Sequence, residues 1–255
     1  MDNKDQEKRK CVVVTGASRG IGAATAKKLG SLGYIVCINY LSNKAAAEDV
    51  AHVVSESGGK AFCVQGNVAD ESAVKTLFSR IDGECDVLHG LVNNAAILEP
   101  QMKLVDMTPD RIDRIFATNF RGSFLCCKEA IPRMSTREGA EGGVIVNVSS
   151  AAARLGSAGE YIDYAASKGA IDTLTIGLAN ELAPKGIRVN AVRPGFIETD
   201  MHASGGEPNR LDRVREAIPL RRAGKPEEIA DAICWLLSPQ SSYCTGSFID
   251  IAGGR

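Results

Sequence analysis

A short apolar run followed by closely spaced glycines constrains the fold of this chain more than any other feature. Residues 11–15 (CVVVT) are unalternating and β-branched, which is typical of a strand buried on both faces. Gly16, Gly20 and Gly22 follow at once, and the helix-forming residues 23–29 come next. Such glycines let a backbone approach a pyrophosphate, and the helix start offers unpaired N–H groups to its oxygens. The segment predicts a dinucleotide site, with an ordinary glycine-rich β–α turn as the alternative.

Strand-like and helix-like runs alternate along the rest of the chain. Strands are predicted at residues 11–15, 34–39, 61–66, 87–93, 144–149, 188–192 and 247–251, with helices between them. This alternation predicts an α/β fold: a single doubly wound Rossmann-type domain over residues 11–255, with seven parallel strands and helices on both faces. Residues 1–10 are charged, and we expect them to be disordered.

Residues 199–219 depart from this alternation. Gly205, Gly206 and Pro208 interrupt them, and residues 210–217 predict a short helix. An inserted segment of this kind is typical of a lid that closes over a substrate. A surface loop without such a role is the alternative.

Tyr164 and Lys168 lie four residues apart in a helix-like stretch, so their side chains share one helical face. A free phenol has a pKa near about 10, and a neighbouring ammonium group lowers it by stabilising the phenolate. Such a tyrosine can give a proton to a carbonyl oxygen or take one from an alcohol. Tyr40 and Lys44 have the same spacing at a predicted strand end, so the pair needs supporting motifs.

Several further motifs resemble those of the short-chain dehydrogenase/reductase family. Residues 15–22 (TGASRGIG) carry its G-x-x-x-G-x-G spacing, and residues 146–150 (VNVSS) and 194–195 (PG) with Thr199 match other family segments. Residues 93–96 (NNAA) match the segment after the fourth strand, with Ala96 in place of the commoner glycine. The resemblance runs from about residue 11 to the C-terminus, and the motifs together are highly specific.

The resemblance implies four catalytic residues. In the family pattern Tyr164 exchanges a proton with the substrate, and Ser150 donates a hydrogen bond to the substrate oxygen. Lys168 binds the nicotinamide ribose, and Asn119 holds a water molecule that links Lys168 to solvent. The spacing from Ser150 to Tyr164 is one residue longer than is common, which indicates an insertion within residues 155–159 and leaves Ser149 as the alternative catalytic serine.

The end of the second predicted strand indicates which dinucleotide binds. An NAD-specific domain places an acidic residue there to hold the ribose hydroxyls, whereas this chain has Asn39 and Tyr40. Arg19 in the glycine turn, and Ser42 with its neighbours 43–44, can hold a 2′-phosphate. NADP(H) is therefore favoured, with NAD(H) as the alternative. Asn67 stands where the family usually has an aspartate beside the adenine, and asparagine can still accept a hydrogen bond.

We expect the cofactor to contact the glycine turn, the ends of three strands, the acid–base pair and the segment after the sixth strand. The residues are Gly16, Ser18, Arg19, Gly20, Ile21, Gly22, Asn39, Tyr40, Ser42, Asn67, Val68, Asn93, Ala95, Tyr164, Lys168, Pro194, Gly195, Ile197 and Thr199. No metal site is expected, because the three histidines have no ligand spacing.

Composition gives no indication of a nucleic-acid, membrane or secreted protein. The chain has 30 basic and 31 acidic residues among 255, so no strong charge attracts polyanions. No apolar stretch is typical of a signal peptide or a transmembrane helix. Eight cysteines without a C-x-x-C motif indicate reduced thiols and a cytoplasmic protein. The family resemblance implies a homotetramer, with a homodimer as the second choice.

Together these features predict an NADP(H)-dependent oxidoreductase that moves a hydride between the nicotinamide and a small carbonyl or alcohol substrate. A glucose or other sugar 1-dehydrogenase is one alternative, and a 3-oxoacyl-carrier-protein reductase is another. The carrier protein is acidic and would need a basic patch, but acids interrupt the arginines between residues 210 and 222. A non-catalytic dinucleotide-sensing regulator is a remote alternative, because all four catalytic groups are kept.

Overall fold

Seven parallel strands form one sheet in a computed structural model that describes residues 10–255. The strand order is β3-β2-β1-β4-β5-β6-β7. The strands are β1 (Cys11–Val14), β2 (Ile35–Tyr40), β3 (Lys60–Gln65), β4 (Leu88–Asn93), β5 (Gly143–Val148), β6 (Ile187–Pro194) and β7 (Phe248–Ile251). The predicted doubly wound fold is confirmed, and the predicted strand bounds differ by at most two residues from those observed.

Helices cover both faces of the sheet. They are α1 (Gly20–Ser31), α2 (Lys44–Glu56), α3 (Glu71–Glu84), α4 (Pro109–Phe116), α5 (Gly122–Met134), α6 (Ala152–Leu155), α7 (Ile162–Leu182), α8 (Met201–Ser204), α9 (Arg210–Val214) and α10 (Pro226–Leu237). A π-helical turn, Ala117–Arg121, joins α4 to α5. None of these helices is both long and apolar enough to cross a bilayer.

Each face of β1 contributes to a separate hydrophobic core. Val12 and Val14 pack with α1, α2 and α10, whereas Cys11 and Val13 pack with α3, α5 and α7. Burial on both faces explains why β1 is apolar at every position instead of alternating.

The strand order reverses between β1 and β4, which both pair with their neighbours in parallel. All strands therefore end at the same edge of the sheet, and loops diverge there to leave a crevice. The glycine turn follows β1 at this edge, and the serine motif follows β5.

The segment predicted to be a lid contains α8, α9 and a 3-10 turn, Arg215–Ala217. It is tied to the loop before α7: the Tyr161 hydroxyl donates to the Gly205 carbonyl at 3.1 Å, and Arg210 Nη2 lies 2.6 Å from Glu160 Oε2. Its closure over a substrate stays a prediction. The prediction of disorder over residues 1–10 falls, except for Lys10, outside the described residues.

Candidate active site

The glycine turn after β1 is shaped to admit a phosphate group. Gly16 and Gly20 have positive φ angles of 62° and 55°, a conformation that disfavours residues with a side chain. A Cβ atom on Gly22 would stand 2.5 Å from Asn94 Nδ2 and 2.7 Å from the Gly16 carbonyl oxygen, so only glycine fits. Helix α1 begins within this turn, and its first N–H groups face the crevice end of the sheet. The residues present therefore fit a dinucleotide.

Asn94 holds this turn in place, a role that was not predicted from the sequence. Its Nδ2 group donates to the Thr15 carbonyl at 2.8 Å and to the Gly16 carbonyl at 3.1 Å, and Asn94 also lines the cavity described below.

The prediction that Asn93 contacts the cofactor needs correction for the side chain. Asn93 Nδ2 donates instead to Asn147 Oδ1 at 2.9 Å in the interior, because adjacent residues at a strand end point to opposite faces. Ala95 packs against Gly16. Its backbone N–H donates to Thr15 Oγ1 at 3.0 Å, which fixes this position.

The predicted role of Asn39 also needs correction. Its Oδ1 atom accepts a hydrogen bond from the Gly16 N–H at 3.3 Å, and Nδ2 donates to the carbonyls of Val64 and Gly66 at 3.3 and 3.1 Å. The buried amide thus connects the glycine turn to the end of β3 and does not face outward to a ribose. The Tyr40 side chain is buried in the hydrophobic core and is likewise not presented to a ligand.

The residues predicted to hold a 2′-phosphate lie at the surface. Arg19 is exposed just before α1 and forms no ion pair with any residue in 10–255. Ser42 is exposed after β2, beside Asn43, whose Oδ1 caps α2 by accepting from the Ala46 N–H at 3.0 Å. Lys44 pairs with Glu48 at 3.4 Å on the same surface. As far as residues 10–255 are concerned, the Arg19 guanidinium next to the crevice is therefore free to bind a phosphate.

The remaining predicted cofactor residues are distributed around the crevice. Val68 is buried against Gly122, and Asn67 Oδ1 accepts from the Ala69 N–H at 3.0 Å. Ser18 is partly buried in the glycine turn. The last residue of β6, three residues that follow it and one residue of α1 line the cavity directly: Pro194, Gly195, Ile197, Thr199 and Ile21.

A cavity of about 140 Å³ opens at the carboxyl edge of the sheet. Ser150, Tyr164 and Lys168 all line it, although they come from two different elements. Its other walls are largely apolar, with Leu98, Leu155, Phe196 and Met201 among them. The predicted serine, tyrosine and lysine are therefore brought together in one pocket beside the glycine turn.

Lys168 is buried beneath Tyr164. Its Nζ atom donates to the Val148 carbonyl at 2.8 Å and lies 5.6 Å from the centre of the Tyr164 ring. Burial lowers the pKa of Lys168 to about 8, and the charge of Asp172 opposes this by raising it. Burial raises the pKa of Tyr164, while a hydrogen bond with Ser150 and the charge of Arg210 lower it.

The two neighbouring serines differ in what their hydroxyls contact. Ser149 is buried, and its Oγ donates to Asp172 Oδ1 at 2.6 Å, with the Lys168 carbonyl as a second acceptor at 3.2 Å. Ser150 Oγ accepts from the Ala152 N–H at 3.1 Å and shares a hydrogen bond with the Tyr164 phenol. Only Ser150 therefore keeps its hydroxyl beside the phenol.

Asn119 lies within the π-helical turn and is buried. Its Nδ2 group donates to the Ile97 carbonyl and to Ser167 Oγ, both at 3.1 Å, and its Oδ1 accepts from the Ile97 N–H at 2.8 Å. Both amide hydrogens are thus used within the protein, which leaves only oxygen lone pairs to hold a water molecule.

A buried ion pair behind the tyrosine was not predicted. Arg111 Nε lies 2.6 Å from Asp163 Oδ2, and both side chains are at most 3 % exposed. Asp163 Oδ1 accepts from the Tyr164 N–H at 2.8 Å, and Arg111 Nη1 donates to the Pro100 carbonyl at 2.6 Å. The pair therefore holds the first turn of α7, which carries Tyr164, against α4 and the loop after β4. No short motif signals it, because its two partners lie 52 residues apart.

Comparisons with known proteins agree with this geometry. Residues 16–255 match a family model described as enoyl-(acyl carrier protein) reductase. An uncharacterized oxidoreductase of Escherichia coli K12, YgfF, is 57 % identical over 243 residues, which are 95 % of this chain and 98 % of that protein. The chain belongs to the short-chain dehydrogenase/reductase family. A 3-oxoacyl-[acyl-carrier-protein] reductase of Staphylococcus aureus Mu50 is 37 % identical, with 96 % of this chain and 97 % of that protein covered.

Solved short-chain dehydrogenase/reductase structures superimpose on nearly all of the chain. A short-chain dehydrogenase of Burkholderia cenocepacia in complex with NADP has a TM-score of 0.88 and 34 % identity, with 99 % of each chain covered. A 3-ketoacyl-(acyl-carrier-protein) reductase of Brucella melitensis complexed with NADH has a TM-score of 0.88 and 33 % identity, with 97 % of this chain and 98 % of that chain covered. The protein is thus an oxidoreductase of this family that binds a nicotinamide dinucleotide and acts on a small-molecule CH–OH or carbonyl group.

Proposed function

We propose that this protein is an NADP(H)-dependent oxidoreductase in which Ser150, Tyr164, Lys168 and Asn119 carry out proton transfer to a carbonyl or from an alcohol. The observation that carries the proposal is the convergence of the first three residues on one cavity beside the glycine turn. Hydride transfer is the chemistry that the bound nicotinamide supplies. A panel of ketones, aldehydes and sugars, assayed by NADPH absorbance in both directions, tests the proposal. If the protein turns over none of these compounds, the proposal is contradicted.

Each of the four residues has a role that its surroundings support. The Tyr164 phenol gives its proton to the substrate oxygen in reduction and takes it back in oxidation. The Ser150 hydroxyl, next to that phenol, donates to the same oxygen as negative charge develops there. The Lys168 ammonium group stabilises the phenolate from below, and it also holds the nicotinamide ribose. Asn119, through its oxygen lone pairs, holds the water molecule that returns protons to Lys168.

The rate of reduction should fall as pH rises through the pKa of Lys168. Burial sets that pKa at about 8, so the ammonium charge beside Tyr164 is present below this pH and is lost above it. Asp172 raises the Lys168 pKa, so Asp172→Asn should move the alkaline limb of the kcat/KM profile to lower pH. Asp250→Asn is the matched control, because Asp250 shares Arg193 with Asp172 but lies on β7. A profile that does not move in Asp172→Asn, or moves equally in both variants, would contradict the role of Asp172.

We expect NADPH to be preferred over NADH. The 2′-phosphate should contact Arg19 and Ser42, since no carboxylate stands at the end of β2 to repel it. A hydrogen bond to a charged phosphate contributes about 1.5–3 kcal/mol, which converts to roughly a ten- to hundredfold ratio of kcat/KM. Arg19→Ala should remove most of this ratio by weakening NADPH and leaving NADH nearly unchanged. Lys27→Ala, a cation further along α1, is the control. A wild-type ratio that favours NADH would overturn the preference.

Asn39→Asp should not act as a simple switch of cofactor preference in this structure. A carboxylate at this position would face the carbonyls of Val64 and Gly66, where the amide now donates two hydrogen bonds. That variant should therefore weaken both cofactors by disturbing the glycine turn, and it is not a clean test.

The substrate alternatives remain a sugar for oxidation and a 3-oxoacyl group on the acidic carrier protein. The second alternative has support from the similar 3-oxoacyl-[acyl-carrier-protein] reductases. The arginines near the lid are largely paired with acids, as in Arg213–Glu207 at 2.5 Å and Arg222–Glu228 at 2.7 Å. This pairing reduces the positive field that would attract an acidic protein. We therefore favour small free carbonyl compounds.

We propose a homotetramer built on the faces of α5 and α7. Phe124 on α5 is 48 % exposed and Ile176 on α7 is 50 % exposed. Exposed apolar side chains of this kind are typical of a surface that binds another protomer. Leu125 and Ile131, on the same helix as Phe124, are half-buried against the monomer core. The free state of all eight cysteines supports the proposal of a reducing, cytoplasmic location.

Phe124→Asp should shift this protein toward smaller species in sedimentation velocity, because a charge would be buried in the interface. Leu32→Asp places the same charge on another exposed apolar residue, at the end of α1, and should leave the assembly intact. Sedimentation of the wild type as a 27.0 kDa monomer at micromolar concentration would reject the tetramer and the dimer alike.

A further inference from the structure

Arg210, at the start of α9, places a guanidinium group in the wall of the active-site cavity. The residue is only 8 % exposed. Its guanidinium carbon lies 4.5 Å from the centre of the Tyr161 ring and 5.1 Å from that of Phe196, so two aromatic faces fix its position. A buried, rigidly held cation in a largely apolar cavity is a candidate for selecting the substrate.

The hydrogen-bonding capacity of this guanidinium is only partly used. Nη2 donates to Glu160 Oε2 at 2.6 Å. Among residues 10–255 the buried Nε has no hydrogen-bond partner, and Glu207 Oε2 is 3.8 Å from it. A guanidinium offers five N–H donors and is never deprotonated. Nε has almost no accessible surface, so a ligand in the cavity would bind Nη1, which keeps accessible surface and forms no hydrogen bond within residues 10–255. A carboxylate that reaches Nη1 would form charge-assisted hydrogen bonds there.

The charge balance around Arg210 leaves room for an anion. Glu160 and Glu207 are both shared with Arg213, at 2.8 and 2.5 Å, so two cations balance the two carboxylates. The Arg255 guanidinium lies 5.3 Å from the centre of the Phe196 ring, and it also lines the cavity. The charge of Arg210 reaches the reacting group, because it lowers the pKa of Tyr164.

We propose that Arg210 is a specificity-determining residue that binds a carboxylate of the substrate and so selects oxo acids over uncharged ketones. This inference rests on the proposed function, since the carbonyl of the same molecule must reach Tyr164. Guanidinium–carboxylate hydrogen bonds are charge-assisted and are stronger than those to an ester. The carboxylate would also orient the carbonyl toward Tyr164 and Ser150, because the molecule is then held at two points.

Matched pairs of substrates test the proposal. Benzoylformate and 4-oxopentanoate are each compared with their methyl esters, using NADPH, in wild type, Arg210→Met, Arg210→Lys and Arg213→Met. Wild type should prefer the acids, and Arg210→Met should lower the acid-to-ester ratio of kcat/KM by roughly ten- to a hundredfold, mainly through KM. Arg210→Lys should retain part of the ratio, because it keeps the charge but not the planar fork.

Arg213→Met is the control for the ion-pair network. Arg213 shares both glutamates with Arg210 but is 48 % exposed on its side chain and does not line the cavity. Its acid-to-ester ratio should stay within about twofold of wild type, as expected for an exposed pair. Equal losses for acids and esters in Arg210→Met, or the same loss of ratio in Arg213→Met, would show that Arg210 only holds the lid.

A binding measurement separates this inference from the proposed function. Calorimetry of benzoate and benzamide, titrated into the protein with NADP⁺, requires no turnover. Wild type should bind benzoate more tightly than benzamide, and Arg210→Met should bind the two about equally. If the ketones are not reduced but benzoate discrimination depends on Arg210, the proposed reaction fails and the carboxylate site stands. If wild type does not distinguish benzoate from benzamide, the carboxylate site is wrong, whatever the turnover.

Discussion

Tyr164→Phe should lower kcat on any carbonyl that the wild type reduces by roughly 10²–10⁴-fold or more. The substitution removes the transferable proton and keeps the ring, which lies above Lys168 and lines the cavity. The hydrogen bond between the phenol and Ser150 is lost as well, so the substrate oxygen meets one donor in place of two. Binding of NADPH, measured by fluorescence titration, should change little.

Tyr161→Phe provides a matched control for this prediction. Tyr161 precedes Tyr164 by one helical turn and lines the same cavity, but its hydroxyl donates to the Gly205 carbonyl at 3.1 Å. Losing a neutral hydrogen bond of this kind costs about 0.5–1.5 kcal/mol, so kcat should fall about tenfold at most. A Tyr164→Phe enzyme that keeps near-wild-type turnover, or loses no more than Tyr161→Phe, would remove the phenol from the mechanism.

The sheet could be predicted from the sequence because its strands are buried on both faces. A strand such as β1 has to be apolar at every position when Val12 faces one core and Val13 the other. The glycine turn could also be predicted, because a Cβ at Gly22 has no space and the positive φ angles of Gly16 and Gly20 favour glycine. These constraints are local, and so they leave a direct trace in the order of residue types.

The orientation of individual polar side chains could not be predicted from the sequence. Asn93 is the last residue of β4 and Asn39 the last but one of β2, yet both amides turn inward and bond to neighbouring backbone or side-chain atoms. Asn94, one residue further along, is the asparagine that braces the turn and lines the cavity. A shift of one residue in a strand reverses the face, and the sequence does not specify the bounds of a strand that closely.

Contacts between segments that are distant in the sequence could not be predicted either. Arg210 could be placed in a lid from the glycines and proline around it, but its burial between Tyr161 and Phe196 depends on how the lid packs. The Arg111–Asp163 pair joins two helices, and each residue on its own is typical of a solvent-exposed helix surface.

Arg111→Met should lower the free energy of unfolding by about 3–5 kcal/mol, because it leaves the Asp163 carboxylate buried without its counter-ion. This is a large part of the roughly 5–15 kcal/mol that stabilises a folded domain. Methionine keeps much of the length of the arginine stem, so loss of charge and of the bond to the Pro100 carbonyl accounts for the effect. The measurement is the urea midpoint at a fixed protomer concentration, since assembly also contributes to stability.

Arg114, three residues later on the same helix, supplies the control. It forms two hydrogen bonds with Glu99, at 2.9 and 3.1 Å, but its side chain is 57 % exposed. Arg114→Met should therefore cost only about 0–1 kcal/mol, because water screens the pair and solvates the carboxylate that remains. A double variant, Arg111→Met with Asp163→Leu, should recover part of the loss, since no uncompensated charge is then buried. Equal midpoints for Arg111→Met and Arg114→Met would mean that solvent reaches Asp163. The carboxylate that holds the backbone of Tyr164 would then need no buried partner.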